Sequence, residues 1–177
     1  MREEDRIESV LPVPFGGRAW WVLHVRPRCE KKVADAVTRR GGLSYLPLLT
    51  RKHRYGTRKR IYHVPLFRGY VFALLDPINT SWCRQNDQVA NVLEVADQQP
   101  LVDQLRQLYQ ALAVGEVVEV LPFLQVGKRV RITYGPFKDL EGLVVRVKNS
   151  TRVVLQVEMI QQSVVFEADS ELLEPGS

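Results

Sequence analysis

The stretch Trp20-Trp21-Val22-Leu23-His24-Val25, with Pro27 behind it and then Cys29 to Arg40 and Gly41-Gly42, decides how the first half of the chain folds. A short run dominated by aromatic and β-branched side chains predicts a buried strand, and the proline closes it. From Cys29 onward, Cys29, Val33, Ala36 and Val37 share one helical face, while Glu30, Lys31, Asp35, Arg39 and Arg40 lie elsewhere. A helix therefore follows the strand, and two glycines stop it.

Working outward, Leu43 to Leu49 predicts a second strand and Ile61 to Val64 a third. Between them, Arg51-Lys52-His53-Arg54-Tyr55-Gly56-Thr57-Arg58-Lys59-Arg60 predicts a basic hairpin turning at Tyr55-Gly56-Thr57. Gly69 to Leu75 is a further strand, ended by Asp76-Pro77. Asn79 or Thr80 is placed to cap a short helix through Asn86. Val92 to Val95 makes a last strand, and Leu101, Leu105, Leu108 and Leu112 mark one stripe of a helix ending near Gly115. The order predicts an α+β sandwich over residues 19–114, an antiparallel sheet with three helices. Residues 1–18, which end in Pro12-Val13-Pro14-Phe15-Gly16-Gly17, are expected to be a flexible tail. Residues 115–123 are the expected linker, although their Val-rich run can instead lie on the first domain. Beyond it, Arg129–Thr133, Gly142–Lys148, Arg152–Met159 and Val164–Phe166 are short strands between turn residues, which predicts a small all-β barrel over 124–174.

Composition narrows the function. The chain has 177 residues, 45% of them hydrophobic, which suits globular domains. No apolar run reaches membrane-spanning length, and the start, Met1-Arg2-Glu3-Glu4-Asp5-Arg6, is not a secretory signal, so a cytoplasmic protein is expected. Cys29 and Cys83 stand far apart without CxxC spacing, which predicts buried or half-buried thiols rather than a disulfide or zinc site. His24, His53 and His63 are scattered. Nucleophile, phosphate-loop and metalloprotease motifs are missing, and acids are sparse in the first domain, so neither catalysis nor a metal or cofactor is expected. Charge is unevenly spread: Arg18 to Phe72 holds fourteen Lys/Arg against two acids, whereas Leu124 to Glu174 holds seven of each. The front half should meet a polyanion.

Three features carry that expectation. The hairpin offers Arg54, Arg58, Lys59 and Arg60 to phosphates, with Tyr55 able to stack on a base. Arg26, Arg28, Lys31 and Lys32 cluster where the first strand enters the first helix, whose N-terminus adds positive potential. In Pro65-Leu66-Phe67-Arg68-Gly69-Tyr70-Val71-Phe72, Tyr70 and Phe72 share a strand face, which is either core or an exposed apolar dock.

Two segments together resemble the NusG family of transcription factors. Trp20 to Val25 with Glu30-Lys31-Lys32-Val33 and Leu66 to Phe72 is similar to the family's N-terminal (NGN) domain. Val126-Gly127-Lys128-Arg129-Val130-Arg131-Ile132, then Gly135-Pro136-Phe137-Lys138-Asp139-Leu140-Glu141-Gly142, resembles the KOW motif that opens its C-terminal barrel. Gly135 and Gly142 suit tight turns or close backbone approach, Phe137 a plug at the barrel end, and Val130, Ile132, Val144 and Val147 its interior. The resemblance implies a factor that docks its apolar sheet face on the coiled coil of the RNA polymerase clamp, holds the clamp closed and suppresses pausing. The implied dock is His24, Tyr70 and Phe72, with Phe67 beside them. The Arg26 to Lys32 cluster would lie near the non-template DNA strand, and nascent RNA is a further implied partner. Pro65-Leu66-Phe67 and the Arg26-Pro27-Arg28 turn point to a specialised, operon-selective antitermination paralogue of the RfaH-like or polysaccharide-operon type, acting as a monomer.

The chain also departs from the family pattern. Arg68 stands where a proline is expected, and Thr80-Ser81-Trp82-Cys83 lacks the His-Thr-Thr element of some members. The loop Met159-Ile160-Gln161-Gln162 lacks the Phe-Gly-Arg pattern that engages Rho or ribosomal protein S10. Ile160 takes the Phe position, so Met159 and Ile160 retain an apolar contact, with both partners left open. The competing expectation is a KOW-containing module that binds nucleic acid or the ribosome without polymerase.

Overall fold

The computed structural model describes residues 3–114, 117–122, 128–133, 137–147, 150–168 and 173–175. Along the chain these form α1 (Glu3–Val10), β1 (Ala19–Val25), α2 (Glu30–Arg39), β2 (Leu43–Tyr45), β3 (Leu48–Tyr55), β4 (Arg58–Pro65), β5 (Tyr70–Leu75), α3 (Pro77–Gln85), β6 (Val89–Glu94), α4 (Gln98–Val114) and the strands β7 (Val117–Pro122), β8 (Lys128–Ile132), β9 (Glu141–Val147), β10 (Ser150–Val157), β11 (Gln162–Ala168) and β12 (Leu173–Pro175). Two compact units result, one over Pro12–Gln98, the other joining the residues up to Leu11 with those from Gln99 onward.

The first unit is built on an antiparallel sheet of order β2-β5-β1-β6. One face of its two central strands, Leu23, Val25, Val71, Ala73 and Leu75, packs with Val33, Ala34 and Val37 of α2 and Cys83 of α3. On the other face, Trp20, Val22, Phe72 and Leu74 are also wholly buried. Burial on both faces is why Trp20 to Val25 reads as a continuous apolar run instead of alternating. Each fully buried large apolar side chain contributes roughly 1.5–3 kcal/mol. Just beyond its pairing with β6, β1 is continued by Gln98, whose side chain accepts from Trp20 N at 2.6 Å and donates to Trp20 O at 2.9 Å, as a neighbouring strand would.

Helix α2 ends as its two glycines predict. Gly41, at φ +81°, donates to Thr38 O, and Gly42 donates to Val37 O. These are the paired bonds of a Schellman stop. Helix α3 begins earlier than expected. Asp76, not Asn79 or Thr80, is its cap, accepting from Asn79 N at 2.7 Å with Pro77 in the first turn. The long second strand expected over 43–49 is two strands. Pro47 interrupts it, so β2 pairs with β5 while β3 pairs only with β4.

The second unit corrects two expectations. The stretch expected to be a flexible tail contains α1, with Ile7 and Leu11 buried and Leu11 O bonded to Arg106 Nε of α4 at 2.9 Å. The stretch expected to be a linker contains β7, which pairs with β11 from Pro122↔Gln162 to Val117↔Phe166. The resulting all-β sheet runs β12-β8-β9-β10-β11-β7. Val130 and Ile132 are interior as expected, and Phe137 lies 5.6 Å from Phe166. Val126, Gly127, Gly135, Pro136 and the side chains of Val144 and Val147 fall outside the described residues. Gly142 serves close approach, because a Cβ there would sit 2.8 Å from Val154 O.

Two outcomes follow. Gly142→Ala pushes a methyl against backbone and should destabilise the β module by roughly 1–3 kcal/mol, read as a lowered urea midpoint with unchanged slope. Burial pushes the Cys83 thiol up to about 11 against the opposing pull of Arg40, while Cys29 is only half-buried. At pH 8 roughly one Cys83 in a thousand is thiolate, so a thiol reagent should label one cysteine promptly and the second only on unfolding.

Candidate functional site

The site is assembled by the first turn of α2. Glu30 is buried, and its Oε1 accepts from Gly69 N at 2.9 Å. Gly69 adopts φ +83°, which disfavours a side chain, and its carbonyl takes Val25 N at 2.8 Å. With the turn held on both sides, β5 starts opposite the end of β1 and Tyr70 pairs with His24. Their rings stack at 5.2 Å with 23° between planes. His24 is exposed and Tyr70 half-buried, so this ring pair is the accessible part of the expected dock.

Phe72 and Phe67 require a correction. They meet edge to face at 6.3 Å and are 0% and 1% exposed, so in this structure both are core and offer no surface. Strand alternation correctly puts Phe72 on the face of Tyr70, but it cannot say where along that face burial ends.

The first basic cluster, at the start of α2, meets the base of the hairpin. Arg26, Arg28, Lys31 and Lys32 are all exposed, Arg28 at φ +65°. Lys31 Nζ donates to His63 O at 2.6 Å, which ties α2 to β4. A groove lies between them, lined by His24, Arg28, Glu30, Lys31, His63 and Arg68. The sequence pattern alone does not mark His63 and Arg68 as site residues. Arg68 stands out only as the residue in place of a proline between Phe67 and Gly69. Beyond the groove, the β3–β4 ribbon carries Arg54, Arg58, Lys59 and Arg60, all exposed. Its base is closed by Leu66 N donating to Pro47 O at 2.8 Å.

Elsewhere the expected contacts are less available. In the β module, Ile160 is 6% exposed at the end of a 3-10 turn, and of the two expected contact residues Met159 alone is partly open. An apolar partner contact centred on Ile160 is therefore not presented. In α3, Thr80 Oγ1 donates to Asp76 O, and the Trp82 ring lies under the Arg40 guanidinium at 4.6 Å. That segment is occupied with helix structure and a surface cation–π contact.

An α+β domain bearing a stacked ring pair and a cationic ribbon, followed by an all-β module, has the two-part architecture of NGN–KOW transcription factors. The chain belongs to the NusG family: the family model described as transcription termination factor nusG matches residues 18–108, and the KOW motif matches residues 126–157. Among solved structures the chain is similar to Thermotoga maritima NusG, described under "Domain interaction in Thermotoga maritima NusG". That match has 18% identity and a TM-score of 0.47 over 90% of this chain and 98% of that one. No curated protein matches. Among the described residues, no helix is long and apolar enough to cross a membrane.

The burial difference along the ring face is directly measurable. Phe72→Ala should cost about 3–5 kcal/mol of stability, whereas Tyr70→Ala, half-open to solvent, should cost about 1 kcal/mol. Chemical denaturation of the two variants beside the wild type checks this.

Proposed function

We propose that this NusG-family chain binds elongating RNA polymerase at the clamp coiled coil and promotes processive elongation and antitermination. The observation that supports this reading is the accessible His24–Tyr70 stack on a rigid sheet, flanked by Arg28, Lys31 and Arg68. Aromatic rings with two fixed χ angles make efficient contact at low entropic cost, and adjacent cations suit a nucleic-acid-laden partner. The dock is assigned to His24 and Tyr70, with Phe67 and Phe72 buried in the core beyond them. Arg26, Arg28, Lys31 and Lys32 would face the non-template strand. Such a factor works by stabilising one polymerase conformation, which needs differential binding and no catalytic group. The Arg26-Pro27-Arg28 turn and the Pro65-Leu66-Phe67 segment support an operon-selective paralogue, acting in the cytoplasm as a monomer.

A second reading, a nucleic-acid or ribosome-binding module independent of polymerase, is favoured by one observation, the full exposure of the cationic ribbon. Binding to a reconstituted elongation complex separates the two. The double variant His24→Ala/Tyr70→Ala should bind roughly tenfold or more weakly than wild type while remaining folded. Undiminished binding of that variant would remove the dock from this face. Wild type that binds free RNA or ribosomes but not the elongation complex would establish the second reading instead.

A further inference from the structure

The ribbon has two chemically different faces. Cross-strand partners share a face, and the register runs from Leu48↔Pro65 to Tyr55↔Arg58. One face carries Thr50, Lys52, Arg54, Lys59, Ile61 and His63. The other carries three successive rungs: Arg51 opposite Tyr62, His53 opposite Arg60, and Tyr55 opposite Arg58. Each of these rungs pairs one aromatic ring with one arginine. All three cations on this face are arginines, whereas the opposite face mixes Lys52 and Lys59 with Arg54. Arginine is the cation that both forks onto phosphate and stacks on a π-face.

The rings are available. Tyr55 is 59% and Tyr62 38% exposed, and His53 lies 4.4 Å from Tyr55 along the same face. Five of the nine exposed large hydrophobics among the described residues belong to β3 and β4. Cations alone would suffice to protect a solvated hairpin from edge-to-edge pairing. They leave unexplained why aromatic rings are held in water at every second position between them.

We propose that the Arg51–Tyr62, His53–Arg60 and Tyr55–Arg58 face is a stacking platform for single-stranded DNA, with bases on the rings and phosphates on the three guanidiniums. The rungs repeat every two residues, about 6.6 Å, so the strand is held stretched with its bases apart. Between Leu48 and Pro65 there is no Asp, Glu, Asn or Gln. The platform therefore lacks the carboxylates and carboxamides that read base edges, and it lacks the same acceptors for a ribose 2′-hydroxyl. What remains is stacking and phosphate contact, which depend little on sequence. The choice of DNA rests on the proposed polymerase role, since an elongation complex keeps one DNA strand unpaired.

The test uses the full chain and a labelled single-stranded DNA of mixed sequence, with no polymerase present, followed by anisotropy over a range of salt. Tyr55→Ala/Tyr62→Ala should bind on the order of thirtyfold more weakly at unchanged salt slope, as the loss of two base stacks requires. Arg51→Gln/Arg58→Gln/Arg60→Gln should lower the slope by about 2, from three phosphate contacts on a single strand. The charge-matched Lys52→Gln/Arg54→Gln/Lys59→Gln on the opposite face should lower it by less than about 1. A duplex of the same sequence hides its base faces and should bind more weakly than the single strand.

The platform is overturned if the tyrosine pair is silent, if the two triple variants are equivalent, or if duplex binds as well as single strand. RNA of the same sequence binding tenfold tighter than DNA would overturn the assignment to DNA. Tyr70→Ala should leave oligonucleotide binding intact. Wild type that binds the oligonucleotide but not the elongation complex would thus count against the polymerase dock and not against the platform.

Discussion

A buried glutamate side chain is the constraint on which the rest of the first unit depends. Glu30 is almost wholly removed from water, and a polar group in that position is costly unless it is hydrogen-bonded. It finds the amide of Gly69, and the bond crosses from the first turn of a helix to the turn before a strand. The next residue, Lys31, reaches the carbonyl of His63. Two neighbouring side chains of one helical turn thereby hold both ends of the segment from the end of β4 to the start of β5. His24 and Tyr70 stack because that segment is held, and Arg28, Lys31 and Arg68 surround one groove for the same reason.

The anchoring also explains how an unpacked ribbon persists. A two-stranded hairpin alone in water is marginal. Here β3 and β4 leave a fixed base, closed by the Leu66–Pro47 bond and by Lys31, and stay paired through eight registered positions to a turn at Gly56, φ +58°. Tertiary structure supplies the nucleus, and each rung beyond it adds pairing without a new loop to close. The cost is a row of like charges, Arg51 to Arg60, with no acid among them. Such repulsion is relieved by a polyanion and by nothing else within the ribbon.

Much of this was legible in the residues. Strand β1, helix α2 and its Gly41-Gly42 stop follow from local patterns that agree with the fold, and the strands β8 to β11 fall close to their expected positions. Local pattern failed where the deciding contact is distant. Among the described side chains of α1 and the residue after it, Ile7 and Leu11 are buried, a weak periodic signal, and the partner of Leu11 O is Arg106. Strand β7 is a Val-rich run that becomes a strand because β11 accepts it. Phe72 illustrates a different limit. A strand covered on both faces gives alternation no polar positions to mark the boundary, so core and dock look alike until burial is seen. His63 and Arg68 join the site only through topology, at opposite ends of a segment bent back on α2.

Placing one contact on the sheet and another on the ribbon has an energetic consequence for the proposed role. The ring pair sits on a rigid, doubly covered sheet and suits a partner of fixed shape; the ribbon is exposed along its length and suits a strand of any sequence. Each contact is small by itself, since one half-exposed ring pair and three rungs bury little area. Joined through Lys31 and Glu30, they act as linked sites, and the second binds at the high local concentration set by the first. A complex that presents both a protein dock and an unpaired strand is then held far more tightly than one that presents either. That is selectivity by coincidence: it requires no base-reading side chain on the ribbon and no deep pocket on the sheet, and the structure is economical in both.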